Sequence, residues 1–373
     1  MLFSDVIGQE SVKKHLVNSV KEGRVSHAYL LAGAEGSGSL PLAVAFARYL
    51  NCLNPGENDA CGTCSSCVKA AKLVHPDIHF VFPVIKKGSH TPVSDDYISE
   101  WRSFVLSNPY FNSAQWFSYI ADEKKAGMIY SEESLSIIRK LSLKNFEGRY
   151  KVMIIWLPER MNDTGGNKLL KILEEPPENT VFFLVSETPG ELLGTILSRT
   201  QRVDVQPIEV SVLSNELQRR FSLAPEQADA LARVSNGNFI KALENVETGT
   251  SNSDYLELFA KIMRAAYSRK IFEIVSWVDE IAPMSRDNIK NFLTYAIGML
   301  RDSFIYNFNQ PQLIYLSAAE QAFIARFAPF ITQENLPRMV EELELAWAQI
   351  EQNGNSKIVL FDMAIKLVGM FKV

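Results

Sequence analysis

Residues Gly33-Ala-Glu-Gly-Ser-Gly-Ser-Leu40 hold glycines in the spacing of a phosphate-binding loop, the device by which nucleotide hydrolases grip a triphosphate. In such a loop the glycines let successive backbone N–H groups converge on phosphate, a following Lys reaches the β and γ phosphates, and a Ser or Thr hydroxyl holds Mg²⁺. Ser39 and Leu40 occupy those two places here. Gly33, Gly36, Gly38 and Ser39 therefore form a cradle without its reactive groups. A hydrolase also needs an acidic pair at a strand tip, one carboxylate for Mg²⁺ and one to orient the attacking water. Trp156 and Leu157 stand at that tip, and neither an indole nor an isobutyl group does either job. Glu159, beyond Pro158, reads as a solvated turn residue.

Cys52, Cys61, Cys64 and Cys67 form a second constellation and are all the cysteines the chain has. Clustering of this kind points to metal ligation in a reducing compartment rather than to disulfides. Successive two-residue spacings let the thiolates converge on a tetrahedral ion. Four thiolates close the site to water, so zinc there is structural. An iron–sulfur cluster is the alternative, although no other feature calls for electron transfer. His75 and His79 are not needed as ligands and read as ordinary loop or strand histidines. Arg199, in Leu197-Ser-Arg-Thr200, is the third group of interest; by residue type alone it is a surface arginine in a surface ion pair.

Several elements must position these groups. Ala28 to Ala32 reads as a strand running into the glycine loop, and Leu42 to Leu50 as the helix leaving it, with Pro41 tolerated in the first turn. Lys151 to Ile155 and Thr180 to Val185 are continuous apolar runs, as expected for strands buried on both faces of a parallel sheet. Asn167 to Glu175 reads as a helix stopped by Pro176 and Pro177, Glu191 to Leu197 as another, and Arg202 to Val205 as a strand. Residues 85 to 128 interrupt this order. They are polar, include Gly88, Pro92 and Pro109, and carry Trp101, Phe104, Tyr110, Phe111, Trp116 and Phe117; they read as an insertion, a partly helical surface excursion that packs its own aromatics, with a partner-binding arm as the alternative. After Pro207 only helical patterns follow: a small unit over 210 to 247, a linker from Glu247 to Ser253, and amphipathic helices from Asp254 to Val373.

At 373 residues the length suggests roughly two to four domains. Hydrophobic residues make up 47% and charged residues 22%, an ordinary globular balance. A net charge of −5 argues against a surface that binds nucleic acid throughout, so protein partners are favoured over naked DNA. No basic region followed by an apolar run and a cleavage site opens the chain, and no apolar stretch approaches membrane-spanning length. A cytoplasmic protein with no membrane partner is expected.

Phe3-Ser-Asp-Val-Ile-Gly-Gln9, the glycine loop, the cysteine cluster, Asn167-Lys-Leu-Leu-Lys-Ile-Leu-Glu-Glu-Pro-Pro177, Ser198-Arg-Thr200 and Asn353-Gly-Asn-Ser-Lys-Ile-Val-Leu360 together resemble the bacterial DNA polymerase III clamp-loader ATPases. The likeness spans nearly the whole chain apart from residues 85 to 128. It implies an α/β fold of the AAA+ class: a RecA-like parallel sheet domain over 1–206 with an inserted zinc knuckle at 52–67, a small helical lid over 207–250, and an all-α collar domain over 254–373. In this family a Ser-Arg-Cys motif supplies an arginine finger to a neighbouring subunit's ATP. Ser198, Arg199 and Thr200 match it, with Thr in place of Cys. Hydrolysing members also carry a lid arginine in a pattern similar to Gly237-Asn-Phe-Ile-Lys-Ala-Leu243; Ile240 takes its place, and the adjacent Lys241 is turned by about 100° along the helix.

The resemblance thus implies a noncatalytic subunit in a hetero-oligomeric ring of related clamp-loader ATPases, offering Arg199 in trans and helping to load a sliding clamp onto primed DNA. Its own loop reads as vestigial, with no hydrolysis expected and only weak phosphate holding left to the backbone cradle. Two other readings stand beside it. One is a self-sufficient ATP-hydrolysing AAA+ protein with its catalytic groups elsewhere. The other is a zinc-dependent nucleic-acid module, with Lys69, Lys72, Lys86 and Lys87 around the cysteines.

Overall fold

A computed structural model describes residues 1–86, 91–121, 127–248, 252–308, 316 and 318–371. Gly88, and residues 249–251 of the expected linker, lie outside the described residues. The chain divides into two compact units, Met1–Glu244 and Asn245–Val373.

Strands buried on both faces build the first unit. Strands β1 (Ala28–Gly33), β2 (Ile78–Val81), β3 (Lys151–Trp156), β4 (Thr180–Ser186) and β5 (Gln201–Val205) form one parallel sheet in the order β2-β3-β4-β1-β5. Register places Leu30 opposite Leu184 and Arg202, and Ile154 opposite Phe80 and Phe183. Tyr29, Leu31, Ile154 and Phe183 face one side, while Leu30, Met153, Ile155 and Leu184 face the other. Because both faces are covered, the strands read as unbroken apolar runs. Helices α1 (Glu10–Lys21), α2 (Ser39–Leu50) and α3 (Ser65–Ala71) lie on the first side, and α2 is buried along its whole length. Helix α6 (Ser131–Ser142), through Ile137 and Leu141, and helix α7 (Asp163–Glu174), through Leu169 and Leu173, cover the second. Each fully buried Leu, Ile or Phe contributes roughly 1.5–3 kcal/mol.

Several boundaries differ from those read in the sequence. β2 carries little strand signal in the sequence, because Ile-His-Phe-Val is short and contains a histidine. It follows the loop strand in the chain, and β4 separates β3 from β1. Helix α7 begins four residues early, since Asn162 Oδ1 accepts from Gly165 N at 2.8 Å and caps it despite two glycines in the first turn. Glu191 to Leu197 is a 3₁₀ turn, Pro189–Glu191, and then a single helical turn, α8 (Gly194–Leu197).

The described residues of 85 to 128 are partly helical and pack their own aromatics, as expected, but they do so against the sheet rather than as a surface excursion. Helices α4 (Ile98–Ser107) and α5 (Ser113–Ile120) bury Trp101 and Trp116 completely against the sheet's first face. Trp101 stacks on Phe82 at 4.1 Å and 8° and meets Trp156 at 5.4 Å. Trp116 donates Nε1–H to Pro83 O at 2.8 Å. Apolar aromatic area of this size is stable only when it is covered, and the indole at the tip of β3 gives it a partner.

After β5 come α9 (Val210–Phe221), α10 (Pro225–Val234) and α11 (Phe239–Thr248). Gly237 (φ +76°) turns the chain between α10 and α11, and its carbonyl accepts from Ile208 N at 3.0 Å. The second unit is helical among its described residues: α12 (Asn252–Tyr267), α13 (Ile271–Ile281), α14 (Arg286–Tyr306), α15 (Ala318–Phe327), α16 (Leu336–Glu351) and α17 (Ser356–Val368). Phe259, Trp277, Phe292, Leu343 and Met363 are part of its core, and Trp277 Nε1 donates to Leu258 O at 2.9 Å. Ser285 and Asn355 cap α14 and α17. Among the described residues no helix is long and apolar enough to cross a membrane.

Candidate functional site

The glycine loop joins β1 to α2, as its sequence requires. Gly36 (φ +75°) and Gly38 (φ +95°) adopt the left-handed backbone that glycine takes without strain. Neighbours fill the space where side chains would be: a Cβ on Gly36 would lie 1.9 Å from Asn238 Oδ1, and one on Gly38 would lie 3.1 Å from Tyr110 Oη. Phe239 N donates to Gly36 O at 3.2 Å. The Ser37 and Ser39 hydroxyls sit 3.1 Å apart, buried over Gly33. Leu40 is buried in the first turn of α2.

Structure brings Gly33, Gly36, Gly38, Ser39, Trp156 and Ile240 to one cavity of about 30 Å³. That is room for a water or two, against roughly 300 Å³ or more for an ordinary small-molecule pocket. Ile240 is buried where the lid arginine was sought, and Lys241 is exposed. Residues that sequence reasoning missed close the cavity: Pro109, Tyr110 and Phe111, between α4 and α5. Their only sequence signal is the aromatic density of that segment, which does not say where they land.

Glu35, Glu159 and Glu187 give the strand tips beside the loop an acidic character. Burial pushes the Glu187 carboxyl up to about 8, with the Glu35 and Glu159 carboxylates acting in the same direction. Glu159 is not a solvated turn residue. Leu157 (φ +54°) and the 3₁₀ turn Pro158–Arg160 fold it back onto β4, where Oε1 accepts from Glu187 N at 2.8 Å and Thr188 N at 3.2 Å. Carboxylates here oppose a polyphosphate.

The four cysteine sulfurs all lie within 4.8 Å of one another, close enough to hold a metal ion, and Cys61 and Cys67 are 3.9 Å apart. Tetrahedral zinc with Zn–S bonds near 2.3 Å sets S···S at roughly 3.8 Å. Backbone amides already serve the sulfurs: Cys61 N donates to Cys52 Sγ at 3.3 Å, and Cys64 N to Cys61 Sγ at 3.4 Å. The amides of Cys64 and Thr63 bring the Cys61 thiol down to about 6, while burial pushes Cys52 up to about 12. A bound cation is what would hold all four as thiolates at neutral pH. The same loop anchors the N-terminal segment, since Asp59 accepts from Phe3 N and Ser4 N, both at 3.0 Å. His79 is in β2, and His75 Nδ1 accepts from Asp77 N at 3.1 Å; neither belongs to the four-sulfur group.

Arg199 is not among the residues that line the loop cavity. It follows α8, with 35% of its side chain exposed, and its Nη2 pairs with Glu174 Oε1 at 2.7 Å. Nη1 donates to Thr195 O at 3.0 Å and to Ser198 Oγ at 3.3 Å. Glu174 is the last residue of α7, placed there by the stop at Pro176 and Pro177. Thr200, where the sequence motif has Cys, turns its hydroxyl back to Ile196 O and Leu197 O, both at 3.2 Å.

A family model described as DNA polymerase III, delta subunit, matches residues 8–209. DNA polymerase III subunit delta' of Bacillus subtilis is 29% identical over 259 residues, 69% of this chain and 63% of that protein. DNA polymerase III subunit tau of Escherichia coli is 27% identical over 257 residues, 68% of this chain and 33% of that one. A solved DNA polymerase III gamma subunit-related protein from Thermotoga maritima aligns over 96% of this chain and 98% of its own, at 16% identity and a TM-score of 0.40. The chain spans less than two thirds of the two curated relatives. The family match takes in the glycine loop, the four cysteines, the sheet and Arg199, and it exceeds half of the 373 residues, so the chain belongs to the DNA polymerase III delta-subunit family.

Proposed function

We propose that this chain is a noncatalytic, delta-prime-like subunit of the DNA polymerase III clamp loader, an AAA+ ring member that acts on a neighbour's ATP through Arg199 and leaves its own loop silent. The carrying observation is the contrast between two sites. The loop cavity holds about 30 Å³ and is lined by Ser39, Trp156 and Ile240, whereas the Arg199 guanidinium stands outside it, partly exposed, on one 2.7 Å ion pair with an exposed carboxylate and two exposed local hydrogen bonds. An exposed pair of that kind holds the arginine by about 1 kcal/mol or less, so a transferring phosphate can draw it away. A planar guanidinium suits the equatorial oxygens of such a phosphate, and an arginine finger is worth about 10³ to 10⁵ in rate.

Its partners on this reading are related ATPase subunits in a hetero-oligomeric ring, the sliding clamp, and primed DNA reached through the assembly. The four cysteines carry structural zinc: the closed thiolate set leaves no ligand position for water, and Asp59 uses the same loop to fix the N-terminal segment. The relative named subunit delta' supports the assignment. In an assembly reconstituted with Arg199→Ala, ATP turnover at the facing site is expected to fall by about 10³ or more while the subunits still co-elute. Unchanged turnover would sink the role.

A further inference from the structure

We propose that Tyr110, backed by Phe111, is a built-in occupant of the glycine-loop pocket, excluding nucleotide and pinning the N-terminal segment, the loop and helix α11 together in its place. Tyr110 touches all three. Its Oη accepts from Ile7 N at 2.9 Å, its ring edge packs on Phe239 at 4.9 Å and 73°, and it fills the space above Gly38. It is 2% exposed. Phe111 sets the ring's depth: it sits 5.0 Å from Trp156 and 4.7 Å from Phe104, so the plug rests on the sheet.

The sequence around it is built to hold this position. Asn108 Oδ1 accepts from Tyr110 N at 3.0 Å, Pro109 restricts the backbone between them, and Asn112 Oδ1 caps α5 by accepting from Gln115 N at 2.9 Å. Tyr110 and Phe111 are therefore fixed between two capped turns. A phosphate-binding loop must leave its backbone N–H groups open to a phosphate. Here a phenol stands over Gly38, and Asn238 and Phe239 sit on Gly36. Deleting the Lys and the hydroxyl would weaken nucleotide binding, while filling the pocket abolishes it and holds α11 on the loop without any ligand.

This inference shares with the proposed function the premise that the loop is silent, but its test does not involve Arg199 or any partner. The full chain is titrated with a fluorescent ATP analogue and Mg²⁺ as wild type, as Ser39→Lys/Leu40→Thr, and as that pair with Tyr110→Ala. Expected are no saturable binding below about 1 mM for the first two and binding at least tenfold tighter for the third. Equal binding by the pair with Tyr110 in place, or no gain in a folded triple variant, would overturn the proposal. Amide exchange supplies the second measurement. Tyr110→Phe keeps the ring and is expected to speed exchange at the Ile7 amide. Tyr110→Ala is expected to add faster exchange at Phe239 and Ala242, with none added in α17. Unchanged exchange at Ile7 and Phe239 would equally overturn it.

Discussion

The glycine-loop pocket and the Arg199 corner stand on one parallel sheet and differ in every physical respect. The pocket is filled from within by Tyr110, floored by Trp156 and flanked by Glu35, Glu159 and Glu187. The corner presents a cation to solvent, steadied by Glu174 and two local oxygens. One is lined mainly by apolar and aromatic side chains; the other presents a charged group in a partly exposed ion pair. A scaffold of this type can give up its own chemistry by becoming better packed, because the cavity that catalysis needs is a cost to stability.

That comparison can be broken at its filled end first. Trp101→Ala removes the ring stacked on Phe82 and set against Trp156, and the expected loss is about 3–5 kcal/mol by urea unfolding. A loss under about 1 kcal/mol would make the aromatic insertion peripheral after all. Gly36→Ala comes next. The left-handed backbone and the Asn238 side-chain oxygen, 1.9 Å from where the new Cβ would stand, predict about 1–3 kcal/mol, read as a fall in Tm, and a neutral substitution would mean that Asn238 is not seated on the loop.

The acidic rim gives a sign. Burial raises the Glu187 carboxyl from 4.5 to about 8 in the folded chain, so between those values the native state binds more protons than the unfolded one. Stability contributed by this group falls as pH rises from 4.5 through 8. Glu187→Gln is expected to flatten that slope in denaturation curves at pH 5 and pH 8; identical slopes in both proteins would place the titration elsewhere. The smallest effect belongs to the open end. Glu174→Gln is expected to change stability by less than about 1 kcal/mol, as for other exposed pairs. A loss of several kcal/mol would show that Arg199 is bound into the fold rather than available.

Strands β1, β3 and β4 were legible because parallel strands covered on both faces must be apolar throughout. The cysteine cluster was legible from spacing alone, since Cys61, Cys64 and Cys67 can converge only locally. The plug was not. Tyr110 meets Ile7 across 103 residues and Phe239 across a longer span, and no periodicity records such a meeting. Glu159 was hidden for a similar reason: a left-handed Leu157 reverses the chain, and leucine gives no warning of that conformation. The glycines were read as a cradle without its reactive groups, and what stands in that cradle, Asn238 beside Gly36 and Tyr110 beside Gly38, was not legible.

The most direct test sets the two regions against each other inside one assembly. Single-turnover ATP hydrolysis is measured in rings reconstituted with Arg199→Ala and with Glu187→Gln. The account predicts that Arg199→Ala slows one site's share of the burst by about 10³ or more, while Glu187→Gln leaves the burst unchanged. An unchanged burst with Arg199→Ala, or a burst diminished by Glu187→Gln, would contradict it.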